Sequence, residues 1–184
     1  MLINDGVPVK EDLAKITPSD QRFSAGPVAI IECFQEIPCN PCVKACKRGA
    51  INMHHDNQRF DLTPSVVSEK AWTELSQPSS INDLPVVNTE LCNGCGVCIS
   101  FCPGLAIFVV DKTYSPELAL VKLPYEYVPV PEAGQYVDAL NRAGEKLGSF
   151  EVIKVTSGGK KNMTYTISLA VPHELAMDVR GVNV

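Results

Sequence analysis

The sequence predicts an α+β fold: a body of two similar halves with an insertion between them, followed by a β appendix. Three observations carry that prediction. All eight cysteines of the 184-residue chain fall in two runs, Cys33, Cys39, Cys42, Cys46 and Cys92, Cys95, Cys98, Cys102. Each run sits in the same order of short segments, strand, cysteine loop, short helix, strand, which makes an internal pseudo-repeat. The last third of the chain has no cysteine. There Tyr165, Ile167, Leu169 and Val171 alternate with Thr164, Thr166, Ser168 and Ala170, the period of two that marks a half-buried strand.

Residues 1–26 are polar, with Pro8 and Pro18, and form an extension expected to lie over the body or reach a partner. The body spans residues 27–117. Val28, Ala29, Ile30 and Ile31 form a short apolar strand that delivers Cys33. A brief helix is expected over residues 45–50, after Cys42, and Ile51 and Met53 begin the return strand. Residues 52–84 are an insertion, in which Thr63-Pro64 reads as a helix start, since proline suits the first helical position. Val67, Ala71 and Leu75 share one face of that helix. Pro85, Val86, Val87 and Asn88 resume the body, and residues 105–110 read as its closing strand. Residues 118–184 form the appendix, a small β-barrel or sheet with strands near 118–123, 135–139 and 150–155 and a turn at Gly158-Gly159.

An apolar share of 45% and a charged share of 20% are those of a chain with a real core. The formal net charge is -5 and no basic run offsets it, which argues against nucleic acid as a partner. The first residues have no apolar stretch of signal-peptide length and carry Asp5, Glu11 and Asp12. No run approaches the roughly 18 apolar residues of a membrane span. A reducing, cytoplasmic setting is the expectation, and there clustered thiols serve as metal ligands rather than disulfides.

The second run reads C-x2-C-x2-C-x3-C-P, closed by Pro103. Two-residue gaps let a chain curl around three corners of a 4Fe-4S cube, whose fourth iron takes a thiolate from elsewhere. Gly94 and Gly96 interleave the run, where a missing Cβ lets the backbone approach an inorganic core. Pro103 is expected to stop the short helix after Cys102. The first run keeps the C-x2-C-x3-C tail, but five residues separate Cys33 from Cys39. The three extra residues are expected to bulge between Cys33 and Cys39, so Cys33 stands outside the standard spacing. Zinc favours two separated C-x2-C pairs, and radical enzymes place the three-residue gap first; neither pattern matches.

On these two runs the body resembles the bacterial-type dicluster ferredoxins, and the fold class is α+β with a ferredoxin-like two-cluster body. In such proteins the last cysteine of each run serves the other cluster. The resemblance implies one cluster on Cys33, Cys39, Cys42 and Cys102, and a second on Cys92, Cys95, Cys98 and Cys46. With two oxidised cores on eight thiolates the charge would fall to about -9. The stretches IECFQEIPCNPCVKACKRGAI, LCNGCGVCISFCPGLAIFVVD and LPYEYVPVPEAGQ are also similar to small iron–sulfur subunits of flavoprotein amine and amino-acid dehydrogenases. Those flavoproteins are related to hydrogen cyanide synthase and sarcosine oxidase, mostly in anaerobic bacteria. That likeness implies electron relay between a flavoprotein partner and another carrier.

No Ser-His-Asp set, G-x-G-x-x-G or Walker loop is present, so a catalytic, nicotinamide or nucleotide role has no sequence support. The competing readings are a free diffusible ferredoxin serving several oxidoreductases, and an enzyme with an open-site cluster, for which Cys33 would have to be no ligand. Lys44, Lys47 and Arg48 beside the first run are solvated cations or a docking patch. His54 and His55 are read as surface histidines, and Trp72, Tyr125 and Tyr127 as core or interface aromatics.

Overall fold

The computed structural model describes residues 6–54, 80, 82–160 and 162–184. The helix expected from Thr63-Pro64, with Val67, Ala71 and Leu75, lies outside those residues, as do Trp72 and His55.

The extension carries two short helices, α1 (Lys10–Ile16) and α2 (Asp20–Ser24). Ser19 caps α2 by accepting from the Arg22 N–H at 3.2 Å, the hydroxyl serving an otherwise orphan donor. Phe23 then enters the core at 2% exposure, with Lys112 4.5 Å over its ring. This end of the extension is packed on the body.

The body contributes β1 (Val28–Ile31), α3 (Pro41–Ala45), β2 (Ile51–His54), β3 (Leu84–Val87), α4 (Val97–Ser100) and β4 (Ile107–Asp111). Then follow β5 (Leu118–Tyr125), β6 (Tyr136–Leu140), β7 (Lys146–Ser157), β8 (Tyr165–Pro172) and β9 (Gly181–Asn183). One sheet runs β1-β4-β5-β8-β7-β6-β9, and β2 pairs with β3 in a second. The body strands β1 and β4 are therefore edge and neighbour in the sheet that the later strands extend. Among the described residues the order is open, with β1 and β9 at its ends.

The apolar runs of β1 and β4 are buried on both faces, so they read as continuous rather than alternating. Val28, Ile30, Phe108 and Val110 pack into one core with Ala119, Val121, Leu123, Ile167 and Leu169. Ala29, Ile31, Ile107 and Val109 face the other way, into a core containing Cys42, Cys98 and Ile99. The sheet thus separates a mainly apolar core from one lined with thiols, and Cys92 packs against both.

The two halves of the body repeat one backbone device. After Cys46, the Gly49 N–H donates to the Cys46 carbonyl and the Ala50 N–H to its sulfur; after Cys102, the Leu105 and Ala106 N–H groups do the same. Gly49 and Leu105 both have positive φ, +63° and +51°, and only the first is a glycine. The strand ends match too: Glu32 N–H donates to the Ala106 carbonyl and Asn88 N–H to the Ala50 carbonyl, each at 2.8 Å.

Three expectations need correction. The first helix is α3 at Pro41–Ala45, not 45–50, because Pro41 starts it and Cys46, at ψ 94°, is already extended. Likewise α4 ends before Cys102, at Ser100, so Pro103 terminates no helix. His54 is not a surface residue: it faces inward from β2 at 2% exposure, and burial holds its pKa below normal against the nearby Asp83.

One buried ion cluster ties distant segments together. Glu32, at the end of β1, receives Arg142 through Nε at 2.9 Å and Nη2 at 2.7 Å, and Arg180 through Nε at 2.6 Å. Arg180 also lies 4.8 Å over the Phe108 ring. Burial by itself would raise the Glu32 pKa, but the hydrogen bonds and charges of Arg142 and Arg180 outweigh it and hold the carboxyl below its ordinary range. Glu32→Gln removes the paired carboxylate of the buried Arg180 and leaves Arg142 with the exposed Asp178, and should destabilise the fold by on the order of 3 kcal/mol at neutral pH. The native pairing is complete above the unfolded carboxyl value of about 4.3 and is lost as pH falls through the lower folded value. Urea titrations of both proteins should therefore show their difference shrinking with acidification; a constant difference would exclude this origin.

Candidate iron–sulfur site

Cys46, Cys92, Cys95 and Cys98 line one cavity of about 270 Å³, together with Ala29 and Ile51. Three come from the second run and one from the first. Burial, with Cys92, Cys95 and Cys46 beside it, pushes the Cys98 thiol up to about 12. Cys42 has a different set of neighbours: burial and Cys102, with Cys39 and Cys33, push it up to about 11. Burial and Cys102 also raise Cys39. The chain thus brings together two groups of four thiols, each taking one member from the opposite run. Cys95 is exposed, whereas Cys42 and Cys98 are buried.

What such groups can bind follows from their spread and charge. Among the described residues no three or more His, Cys, Asp or Glu converge closely enough to hold a single metal ion. A zinc site needs its thiolates about 2.3 Å from one point. A cube instead takes each thiolate at a separate corner, and thiols arranged around a cavity suit a polynuclear core. Raised thiol pKa values mark sites where anions are unfavourable until a cation arrives and reverses the balance.

Backbone donors are already aimed at the sulfurs. The Cys92 Sγ accepts from Ala29 N–H at 3.4 Å and from Gly94 N–H at 3.5 Å, Cys46 Sγ from Ala50 at 3.3 Å, and Cys102 Sγ from Ala106 at 3.4 Å. Such bonds favour the thiolate and stabilise a reduced, more negative cluster. The residues around this cavity therefore fit a 4Fe-4S group.

The glycines of the second run have separate reasons. Gly94 has φ +62°, and a Cβ there would lie 2.7 and 2.8 Å from the carbonyl carbon and oxygen of Pro27. Gly96 takes φ +85° immediately before α4 and faces the Lys122 stem.

The loop of the first run is not lengthened. Cys39 follows Glu32 by seven residues and Cys95 follows the equivalent Asn88 by seven. No extra residues bulge out; Cys33 lies three positions earlier in a loop of unchanged length, and Glu36 occupies the place matching Cys92.

Two side chains escape notice in the sequence. Arg22 of α2 donates to the carbonyls of Thr89 and Cys92 at 2.7 Å each, and to those of Gly26 and Pro27. Lys122 of β5 donates to the Gly94 carbonyl at 2.7 Å. Lys47 and Arg48 line the cavity, where the sequence left them as solvated or docking cations. Spacing offers no signal for Arg22 or Lys122, since both act from outside the runs; only the interruption of an apolar strand by a lysine hints at the second.

Residues 85–108 match the 4Fe-4S binding domain model, a segment that contains Cys92, Cys95, Cys98 and Cys102. No curated protein and no solved structure matches the chain. The match supports an iron–sulfur protein of ferredoxin type with at least one 4Fe-4S cluster. No helix among the described residues is long and apolar enough to cross a membrane.

Gly94→Ala forces both a positive φ and a backbone clash, costing on the order of 2–4 kcal/mol. Gly134→Ala, with φ +87° and nothing within 4 Å of the added carbon, carries only the first cost. Iron content should fall for the first and hold for the second, and the denaturation midpoint should fall for both but further for the first. Equal behaviour of the two variants would remove the Pro27 contact from the explanation.

Proposed function

We propose that this chain is a non-catalytic electron-transfer subunit holding two 4Fe-4S clusters, one on Cys33, Cys39, Cys42 and Cys102 and one on Cys92, Cys95, Cys98 and Cys46. The observation that carries the reading is the gathering of eight thiols into two groups of four, each drawing one member from the opposite run. When bound, such clusters accept and release single electrons without changing the ligand cage.

The chain's own part is to hold that cage still. The paired strands β1–β4 and β2–β3 anchor both cysteine loops, and N–H groups in the loops and strands offset negative charge at sulfur. Ile99 and Val109 are fully buried in the thiol-lined core. With eight thiols serving eight irons, none is left open for a substrate, which supports relay rather than catalysis. The strands beyond β4 exceed what caging two clusters requires. They support a lasting complex with a flavoprotein dehydrogenase, from which electrons pass through this subunit to another carrier in the cytoplasm.

Anaerobic protein should contain about eight irons and eight sulfides per chain, with two interacting centres by EPR after reduction. Single Cys→Ser variants test the exchange between runs. Cys46→Ser should deplete the same centre as Cys98→Ser, and Cys102→Ser the same centre as Cys42→Ser. Grouping of Cys46 with Cys42 instead would sink the exchanged ligand sets, and zinc in place of iron would sink the function.

A further inference from the structure

We propose that Arg22 and Lys122 form a cationic collar that raises the reduction potential of the cluster held by Cys92, Cys95, Cys98 and Cys46. The inference rests on the two-cluster reading above and assigns a tuning role to two residues outside the cysteine runs.

Both cations are fixed on the same loop. Arg22 reaches it from the N-terminal extension, bonded to the carbonyls of Thr89 and Cys92; Lys122 reaches it from β5, bonded to that of Gly94. Neither is a freely solvated surface charge. Arg22 is 9% exposed and makes four hydrogen bonds to carbonyls, so its guanidinium has one position. Lys122 stands opposite Val109 in the β4–β5 register, and Val109 belongs to the thiol-lined core. An alternating strand has thereby turned its one lysine toward the cluster face.

A positive charge held near a cluster favours the form with one more electron, so its potential rises. Backbone N–H groups do this weakly through dipoles; a full charge on a half-buried ammonium acts further and is screened less by salt. The carbonyls also matter. Three of them, at Thr89, Cys92 and Gly94, would otherwise present negative ends within the loop, and the cations neutralise them. Arg48 Nε lies 3.5 Å from the Leu91 carbonyl but is exposed, and it contributes less.

The collar predicts unequal clusters, with the first electron settling on the one beside Arg22 and Lys122. The test uses the full chain, reconstituted without oxygen and titrated with dithionite under EPR, in wild type, Lys122→Gln, Lys122→Arg and Arg22→Lys. In Lys122→Gln, which keeps a donor for the Gly94 carbonyl, one centre should become harder to reduce, its reduced-to-oxidised ratio at fixed potential falling on the order of tenfold. The other centre should stay where it is. Lys122→Arg keeps the charge and should keep the wild-type midpoints, whereas Arg22→Lys keeps the charge but not the four-bond anchorage and should lower the midpoint of the same centre only, by less than Lys122→Gln. Unchanged midpoints in Lys122→Gln, equal shifts of both centres, or a Lys122→Arg midpoint that moves as far as that of Lys122→Gln would each overturn the collar. Loss of half the iron in Lys122→Gln with full iron in Lys122→Arg would overturn it too, since the lysine would then be needed to assemble the site. A wild type with about four irons would sink the two-cluster reading instead, a separate outcome.

Discussion

Four thiols brought together in a protein interior repel one another as they ionise, and that electrostatic cost governs the rest of this structure. Burial and mutual proximity push Cys42 and Cys98 far above an ordinary thiol. Only a polycationic inorganic core reverses the balance, and only a rigid backbone keeps the sulfurs apart at the right places while it does so. The strand pairs, the N–H donors to sulfur and the left-handed turns after Cys46 and Cys102 all serve this one requirement.

The same requirement explains the exchange between runs. Cys92, Cys95 and Cys98, spaced by two residues, can wrap one side of a core, but the short helix that begins at Val97 then carries Cys102 away to the neighbours of Cys42. The other half, which repeats the same backbone device after Cys46, supplies the fourth thiol in return. The matching hydrogen bonds of Glu32 with Ala106 and Asn88 with Ala50 show the repeat at the level of single backbone groups. Folding of each half is thereby coupled to the other.

Strand positions were legible because burial on one face or two leaves a periodic trace: β1, β5 and β8 lie close to their apolar runs. Helices of four and five residues leave no such trace, so in the sequence only Pro41 marks the start of α3. The cysteine spacing announced the chemistry, but spacing along the chain describes only neighbours in sequence. Arg22, Lys122 and the inward His54 were illegible for that reason, each defined by contacts across 28 to 70 residues or by a strand's facing. The equal loop lengths lie in the spacing from strand end to Cys39 and to Cys95, which the position of Cys33 masks.

Seen from the strand end, the displacement of Cys33 has a physical meaning. Cys33 lies three positions nearer β1 than the place matching Cys92 and so stands next to Glu32, whose carboxylate is held by Arg142 and Arg180 from the C-terminal part of the chain. The first residue of this cysteine loop is therefore braced by the sheet that β5 to β9 extend, whereas Cys92 is braced by Arg22 from the N-terminal extension. The two loops share a length and a tail but lean on opposite ends of the polypeptide. Neither the extension nor the C-terminal part is an appendage in this sense: the first supplies Arg22 beside Cys92, and the second supplies Arg142 and Arg180 beside Cys33.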